Sequence, residues 1–341
     1  MFDKIEQARL SELHFKSDEA SQLKAIIAIH STKLGPALGG CRCIEYSSDE
    51  AAINDVIRLA RGMSYKAALA KVPQGGGKAV ILKPKQIHDR VALFRAFGQF
   101  VHELGGRYIT AVDSGSTLDD MDQISKVTTY VSGSHVDGLD PSPMTALGVL
   151  AGMKSAAFHR YGSADLAGRI VAIQGVGNVG FALAELLHKE GARLLISDVD
   201  NAKVEHVRRA FGAEAITPEH FFDTECDILS PCGLGGVLND STIATLNCDI
   251  IAGSANNQLA EARHGKLLHD KGILYAPDYV INAGGLIKVS LGHLHRSEQS
   301  IKTKTWGIGQ TLLQIFERAK VENLPTSEIA DQMAEQILYS K

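Results

Sequence analysis

Apolar and polar residues recur along this chain with two different periods. Residues 23–30, LKAIIAIH, are an almost unbroken apolar run of strand length, the pattern of a buried strand. Residues 49–63, DEAAINDVIRLARGM, instead place Ile53, Val56, Leu59 and Met63 on one side at helical spacing, which predicts an amphipathic helix. KAVILK (78–83) and RYITAV (107–112) are two further strands, and RVALFRAFGQFVHEL (90–104) between them is a helix ended by Gly105 and Gly106. Helices alternating with strands predict an α/β layer on a largely parallel sheet.

The alternation is interrupted at SGSHVDGLDPSP (132–143), where Gly, Asp, Ser and Pro crowd together as in a linker or hinge. A helix from about Met144 to His159 then leads into a second α/β region. Chains beyond ~250–300 residues usually divide into domains, and this one has 341 residues. The expected division is 1–140, 141–325 and a last capped helix, 326–341, whose docking site the pattern does not assign.

Composition narrows the function classes. Hydrophobic residues make up 45% and charged residues 22%, ordinary values for a globular protein. The 35 basic residues are outnumbered by 39 acidic ones and form no block, so nothing predicts a nucleic-acid partner. The charged N-terminus does not read as a secretory signal, and no window reaches the ~18–20 apolar residues of a membrane span. Five cysteines, with Cys41 and Cys43 in a C-x-C pair, fit neither a disulfide framework nor a metal ribbon. The expectation is a cytoplasmic protein without a metal, its cysteines used for packing.

The clearest motif is RIVAIQGVGNVGFALAELLHKEGARLLISDVD, residues 169–200. It reads as strand, Gly-rich turn, helix, strand. Gly175 permits the tight turn, Gly177 lets backbone approach a pyrophosphate, and Gly180 lets the helix pack on the strand. Asn178 and Val179 open a helix whose N–H groups and dipole favour an anion. Asp198, ~20 residues on, can accept both ribose hydroxyls and would repel a 2′-phosphate. This predicts a Rossmann unit that binds NAD in preference to NADP; Arg208 and Arg209 read as a solvated helix face. Strands at ECDILSP (225–231), CDIIAGSA (248–255) and ILYAPDYVINAGG (273–285) end in small or amide-bearing residues. Ala255, Asn257 and Asn282 are therefore cofactor candidates, with Asn256 beside them, although any one Asn can equally be a loop cap.

A second Gly-rich stretch, MSYKAALAKVPQGGGKAV (63–80), fails as a phosphate loop. That pattern needs a glycine five residues before the Gly-Lys pair and a Ser or Thr after it, and the chain has Val72 and Ala79 there. Its lysines suit acid–base chemistry instead. A fixed ammonium such as Lys66 can pair with a substrate carboxylate, and burial with like-charge repulsion would make Lys78 a usable base. Asp113 ends the strand RYITAV, at the carboxyl end where α/β sites gather. Taken singly, a lysine is most often a solvated surface group and Asp before Ser-Gly most often turn chemistry.

GPALGGCR (35–42), RGMSYKAALAKVPQGGGKAVI (61–81), GRYITAVDSGS (106–116), QGVGNVG (174–180), SPCGLGGVLN (230–239), IAGSANNQL (251–259) and APDYVINAGGLI (276–287) closely resemble the Glu/Leu/Phe/Val dehydrogenase family, above all its leucine dehydrogenase branch. The resemblance runs in order from about residue 23 to 290. It implies a two-domain enzyme that deaminates an L-amino acid reversibly to a 2-oxo acid and ammonia with NAD. It implies a homo-oligomer, octamer or dimer, assembled largely through the N-terminal domain, which also binds substrate. Carried onto matching positions, Lys66 would bind the substrate carboxylate, Lys78 would activate water against the imino carbon, and Asp113 would exchange protons with the amino group. Gly39 and Gly40 would let backbone approach the substrate, Thr145 would lie near the nicotinamide, and Asn257 and Asn282 would hold the cofactor and substrate ends of the cleft. Leu38 stands where the glutamate enzymes have lysine, and with Ala111, Leu286 and Val289 gives an aliphatic lining that favours leucine, valine or isoleucine. Gly233, the run Ala111-Val112-Asp113, Lys288 and Ser290 depart from the leucine pattern, which keeps phenylalanine or another bulky apolar amino acid as the alternative. Remoter readings are a pyridoxal-phosphate enzyme with Lys78 as its Schiff-base lysine, and a non-catalytic nucleotide-sensing protein.

Overall fold

The computed structural model describes residues 2–133 and 140–340. Residues 134–139, the middle of the expected 132–143 hinge, lie outside the described residues. The chain divides into two compact units, one formed by Met1–Asp140, Val289–Arg296 and Ala334–Lys341, the other by Pro141–Lys288 and Ser297–Met333.

In the first unit, strands β1 (Glu12–Asp18), β2 (Leu23–Ser31), β3 (Ala37–Ile44), β4 (Gly75–Leu82) and β5 (Tyr108–Val112) form one sheet in the order β1-β2-β4-β3-β5. This sheet is mixed rather than mostly parallel. The short turn at residues 19–22, with Gln22 at φ 60°, makes β1 and β2 a hairpin, and β2 also runs antiparallel to β4. Only β4, β3 and β5 are mutually parallel.

The two faces of this sheet have different cover. Helices α1 (Phe2–Ala8), α2 (Asp49–Ala70), α3 (Arg90–Glu103) and α4 (Leu118–Ser125) supply it. Ile27, Cys41, Ala79 and Ile81 pack with Phe94, Phe97 and Met121 on the α3–α4 side. Ile26, Ala28 and Val80 pack with Ala52, Val56 and Ala60 of α2 on the other. α2 begins on Ser48, whose side chain accepts from Ala51 N, and continues past the expected end to a left-handed Lys71. Lys66 therefore lies on this helix.

β4 starts three residues earlier than KAVILK suggests, so Gly75, Gly76 and Gly77 are strand residues and not a loop. A β-carbon on Gly76 would lie 2.0 Å from Ser64 N, which explains the glycine: α2 rests directly on the strand there.

In the second unit, β6 (Ile170–Gln174), β7 (Arg193–Ser197), β8 (Glu214–Ala215), β9 (Cys226–Pro231), β10 (Cys248–Ile251) and β11 (Leu274–Tyr275) form a wholly parallel sheet in the order β11-β10-β9-β6-β7-β8. The order reverses direction between β6 and β9, the position where a doubly wound sheet binds ligands. Helices α5 (Ser142–Tyr161), α6 (Asn178–Lys189), α7 (Asn201–Phe211), α8 (Asp240–Thr245) and α9 (Arg263–Asp270) accompany it. Beyond β11, the expected strand 273–285 stops after two residues. Pro277 caps a short helix, α10 (Asp278–Ile281), and α11 (Gly284–His293) follows. Likewise β10 ends at Ile251, before the GSA segment.

Helices α12 (Glu298–Trp306) and α13 (Ile308–Glu322) precede α14 (Thr326–Tyr339). In the second unit, Thr326 Oγ1 donates to Tyr275 O at 2.6 Å. In the first, Tyr65 Oη donates to Glu335 Oε1 at 2.7 Å and Tyr339 Oη lies 3.2 Å from His30 Nε2. These bonds supply the docking that the sequence pattern left open.

Candidate active site

In a strand, residues two apart share a face. Gly76 and Val80 face α2, and so does Lys78 between them. Leu38 pairs with Gly76, and Gly40 pairs with Ala111, two residues before Asp113. The sequence candidates Leu38, Gly40, Lys78, Ala111 and Asp113 are thus brought to one face of the first sheet, the face that α2 covers. Lys66 is half-buried on α2 itself, two residues past the Ser64 that touches Gly76.

Lys78 is 5% exposed, and its Nζ is in direct contact with Asp113 Oδ2. A buried ammonium needs such a partner. Asp113 Oδ1 accepts from Ser114 N at 2.7 Å and from Arg42 Nε at 3.4 Å. Burial works to raise the Asp113 pKa, but the charge and hydrogen bond of Lys78, the Ser114 N–H and Arg42 outweigh it and hold the carboxyl below the usual range. Gly39 and Gly40 pair with Thr110 and Ala111 on β5 but leave a gap in the ladder to β4. Tyr108 Oη donates to Gly39 O there at 2.6 Å. Leu38 and Ala111 are buried beside this gap. Elsewhere in this unit Val289 is half-buried, its carbonyl accepting from Ser132 Oγ at 3.4 Å, and the next residue, Ser290, donates to the buried Gln74.

The second unit carries the glycine fingerprint between β6 and α6. Gly175 has φ 86°, a conformation that glycine tolerates. A β-carbon on Gly180 would meet Gly175 O at 2.0 Å, so α6 packs tightly against the turn. Gly177 opens the helix with no side-chain cap among the described residues, and Asn178 is exposed at its first turn with Val179 next to it. A β-carbon on Gly177 would meet nothing within 4 Å, so there is room at this helix start, as a pyrophosphate site requires. Asp198 Oδ2 accepts from Val176 N at 2.8 Å and Oδ1 from Asp200 N at 2.9 Å, which fixes the acid against the turn. Arg208 and Arg209 pair with Glu205 on an exposed helix face. These residues fit a dinucleotide.

At the carboxyl end of β10, Ala255 is buried and Asn257 has φ 51°. Asn282 is 5% exposed; its Nδ2 donates to Ser254 O at 3.1 Å and Asn256 Oδ1 at 2.8 Å. Its Oδ1 is buried with no partner among the described residues, an acceptor open to a ligand amide. Thr145 Oγ1 donates to Pro141 O at 2.9 Å in the first turn of α5, and Leu286 is buried in α11.

The family model for the Glu/Leu/Phe/Val dehydrogenase dimerisation domain matches residues 7–130, and that for glutamate/leucine/phenylalanine/valine dehydrogenase matches residues 138–202 and 196–324. The chain belongs to the Glu/Leu/Phe/Val dehydrogenase family. It is 48% identical to a leucine dehydrogenase of Thermoactinomyces intermedius over 98% of this chain and 93% of that protein. A phenylalanine dehydrogenase of Bacillus thermotolerans is 43% identical, covering 100% of this chain and 91% of its own. The crystal structure of L-tryptophan dehydrogenase from Nostoc punctiforme superposes with a TM-score of 0.90 at 44% identity, over 99% of this chain and 98% of that one. The protein is an amino-acid dehydrogenase, and NAD is its cofactor. That assignment displaces both the pyridoxal-phosphate and the non-catalytic readings.

Three features of this dehydrogenase escaped the sequence pattern. Arg42 touches Asp113, Tyr108 holds the Gly39 carbonyl, and Gln258 braces the Ala255 loop through Gly253 O at 2.8 Å and Ala255 O at 3.1 Å. Arg42 and Gln258 lie inside GPALGGCR and IAGSANNQL, so a signal was present, but periodicity does not single out a polar residue at a strand end. No cluster of metal-ligating side chains occurs among the described residues, and the cysteines are free.

Proposed function

We propose that the protein catalyses the reversible NAD-dependent oxidative deamination of an apolar L-amino acid, leucine, valine or isoleucine foremost, to its 2-oxo acid and ammonia. The observation that carries this reading is the buried Lys78–Asp113 pair on the α2 face, with aliphatic Leu38 and Ala111 beside it. When bound, NAD would supply the acceptor for the substrate hydride. Lys66 pairs with the substrate carboxylate, and Asp113 takes the proton from the substrate amine. Lys78 takes a proton from the water that attacks the imino carbon, and the carbinolamine so formed collapses to the 2-oxo acid as Asp113 returns its proton to the departing ammonia. In the second unit Gly175, Gly177, Asn178, Val179 and Gly180 hold the pyrophosphate and Asp198 the ribose. Thr145, Ala255, Asn257 and Asn282 hold the nicotinamide end. Leu286 and Val289 complete the side-chain lining.

An apolar residue at position 38 argues against glutamate, because nothing there would compensate a buried second carboxylate. A bulkier apolar substrate is the second reading, supported by the similarity to the phenylalanine and L-tryptophan dehydrogenases. A homo-oligomer, dimer or octamer, fits the family's dimerisation domain. A cytoplasmic setting fits five free cysteines, and no helix of the described residues is long and apolar enough to cross a membrane. A panel of L-amino acids, followed for NADH and ammonia, tests the reading: branched-chain substrates should lead, and glutamate ahead of them would contradict it.

A further inference from the structure

Arg42 follows Gly40 by two residues on β3 and so shares its face. Its guanidinium joins two carboxylates: Nη1 donates to Asp55 Oδ2 on α2 at 2.9 Å, and Nε to Asp113 Oδ1 at 3.4 Å. Asp55 is itself held, because Tyr46 Oη donates to its Oδ2 at 2.8 Å and Arg58 Nη2 to its Oδ1 at 2.9 Å. The Arg42 side chain is 20% exposed and that of Asp55 16%, so water screens this chain of charges only weakly.

The arrangement divides the labour of Asp113. Oδ2 meets Lys78, while Oδ1 is occupied by Ser114 N and Arg42. Without Arg42, a single backbone N–H would remain on Oδ1 to stop the carboxylate turning about its last side-chain torsion. The Asp55–Arg42–Asp113 link between α2 and the residue that follows β5 would also be lost.

We propose that Arg42 is a positioning residue for the deamination reaction: it ties Asp113 to α2 through Asp55 and thereby keeps Oδ2 aimed at Lys78. The inference rests on the reading of Lys78 and Asp113 as the proton-transfer pair. Arg42 itself touches neither substrate nor cofactor in this account. Its loss acts on rate and pH dependence and spares binding, since Lys66 and the second unit are unchanged. The cation also favours the carboxylate form of Asp113, so its removal moves the acid limb of the pH profile to higher pH.

The test compares Arg42→Gln, Arg42→Lys, Asp55→Asn and Asp113→Ala with the wild type, measuring kcat, KM, NAD binding and the pH profile of kcat/KM on the best amino-acid substrate. Arg42→Gln should lower kcat by about 10²-fold, leave KM and NAD binding near wild type, and move the acid limb to higher pH. Arg42→Lys keeps the charge and should hold the limb in place with an intermediate rate. Asp55→Asn, which leaves Arg42 present but released, should lower kcat too, and with Arg42→Lys it carries the test if Arg42→Gln fails to fold. Wild-type kcat and an unmoved limb in Arg42→Gln would overturn the inference, as would equal losses in Arg42→Gln and Arg42→Lys with no shift of the limb. If Asp113→Ala is inactive while Arg42→Gln is normal, Arg42 alone has been misread; if Asp113→Ala stays active, the reading of the pair itself falls.

Discussion

Gly40 lies against Asp113: a β-carbon on residue 40 would sit 2.7 Å from Asp113 Cβ and 2.8 Å from Oδ2. The missing side chain leaves the carboxylate its contact with Lys78. Gly40→Ala should therefore impair catalysis more than folding, lowering kcat by about 10²-fold through displacement of the carboxylate. A β-carbon on residue 40 would also lie 2.8 Å from Val112 O, a milder backbone clash than at Gly39, whose β-carbon position is 1.8 Å from Gly77 O. Backbone cannot step aside as a side chain can, so Gly39→Ala should destabilise the first unit by at least ~1–3 kcal/mol. Thermal melts with steady-state kinetics check the contrast; equal melting losses for both variants would remove the distinction.

His30 gives the fold an acid-sensitive point. It is 1% exposed, its Nε2 lies 3.1 Å from Ala8 O and 3.2 Å from Tyr339 Oη, and its Nδ1 is buried without a partner among the described residues. Burial, aided by the charge of Arg61 and opposed by the Ala8 carbonyl, lowers its pKa from 6.5 to about 4. The unfolded chain then binds the extra proton first as pH falls. Stability is fully present above pH 6.5 and is lost as pH drops towards 4, by about 3 kcal/mol at most. His30→Gln should flatten that slope in urea melts run from pH 7 to 4; an unchanged slope would place the sensitivity elsewhere.

Leu38, at 2% exposure, carries the argument against glutamate. Leu38→Lys puts an ammonium at the position and should lower the leucine-to-glutamate ratio of kcat/KM by about tenfold or more. A ratio that does not move would show that residue 38 is not part of the side-chain pocket.

Much of this was legible in the sequence because it rests on local rules. The glycine fingerprint needs a turn, a close approach and a helix start, and Gly175, Gly177 and Gly180 declare all three. The apolar runs gave β2, β4, β5 and β6 their places. β3 did not read as a strand, because Pro36 and the Gly39-Gly40 pair mask its periodicity, and its hydrogen bonds to β4 and β5 are non-local. The triple glycine does not read as strand because its cause, the approach of Ser64, lies on another element. The end of α2 was missed because Lys71 takes the left-handed cap that a glycine would have announced. The role of Arg42 was not legible for a similar reason: its partners, Asp55 on α2 and Asp113 after β5, come together only in the folded unit.

The central claim is that the Lys78–Asp113 pair performs the proton chemistry of an amino-acid dehydrogenase, and the most direct measurement is turnover of L-leucine with NAD by the wild type and by Lys78→Ala, paired with a titration of NAD binding to both. The account predicts NADH and ammonia in equal amounts from the wild type, a loss of at least ~10³-fold in kcat for Lys78→Ala, and unchanged NAD affinity. A variant that still turns over leucine, or one that fails because it no longer binds NAD, would contradict it.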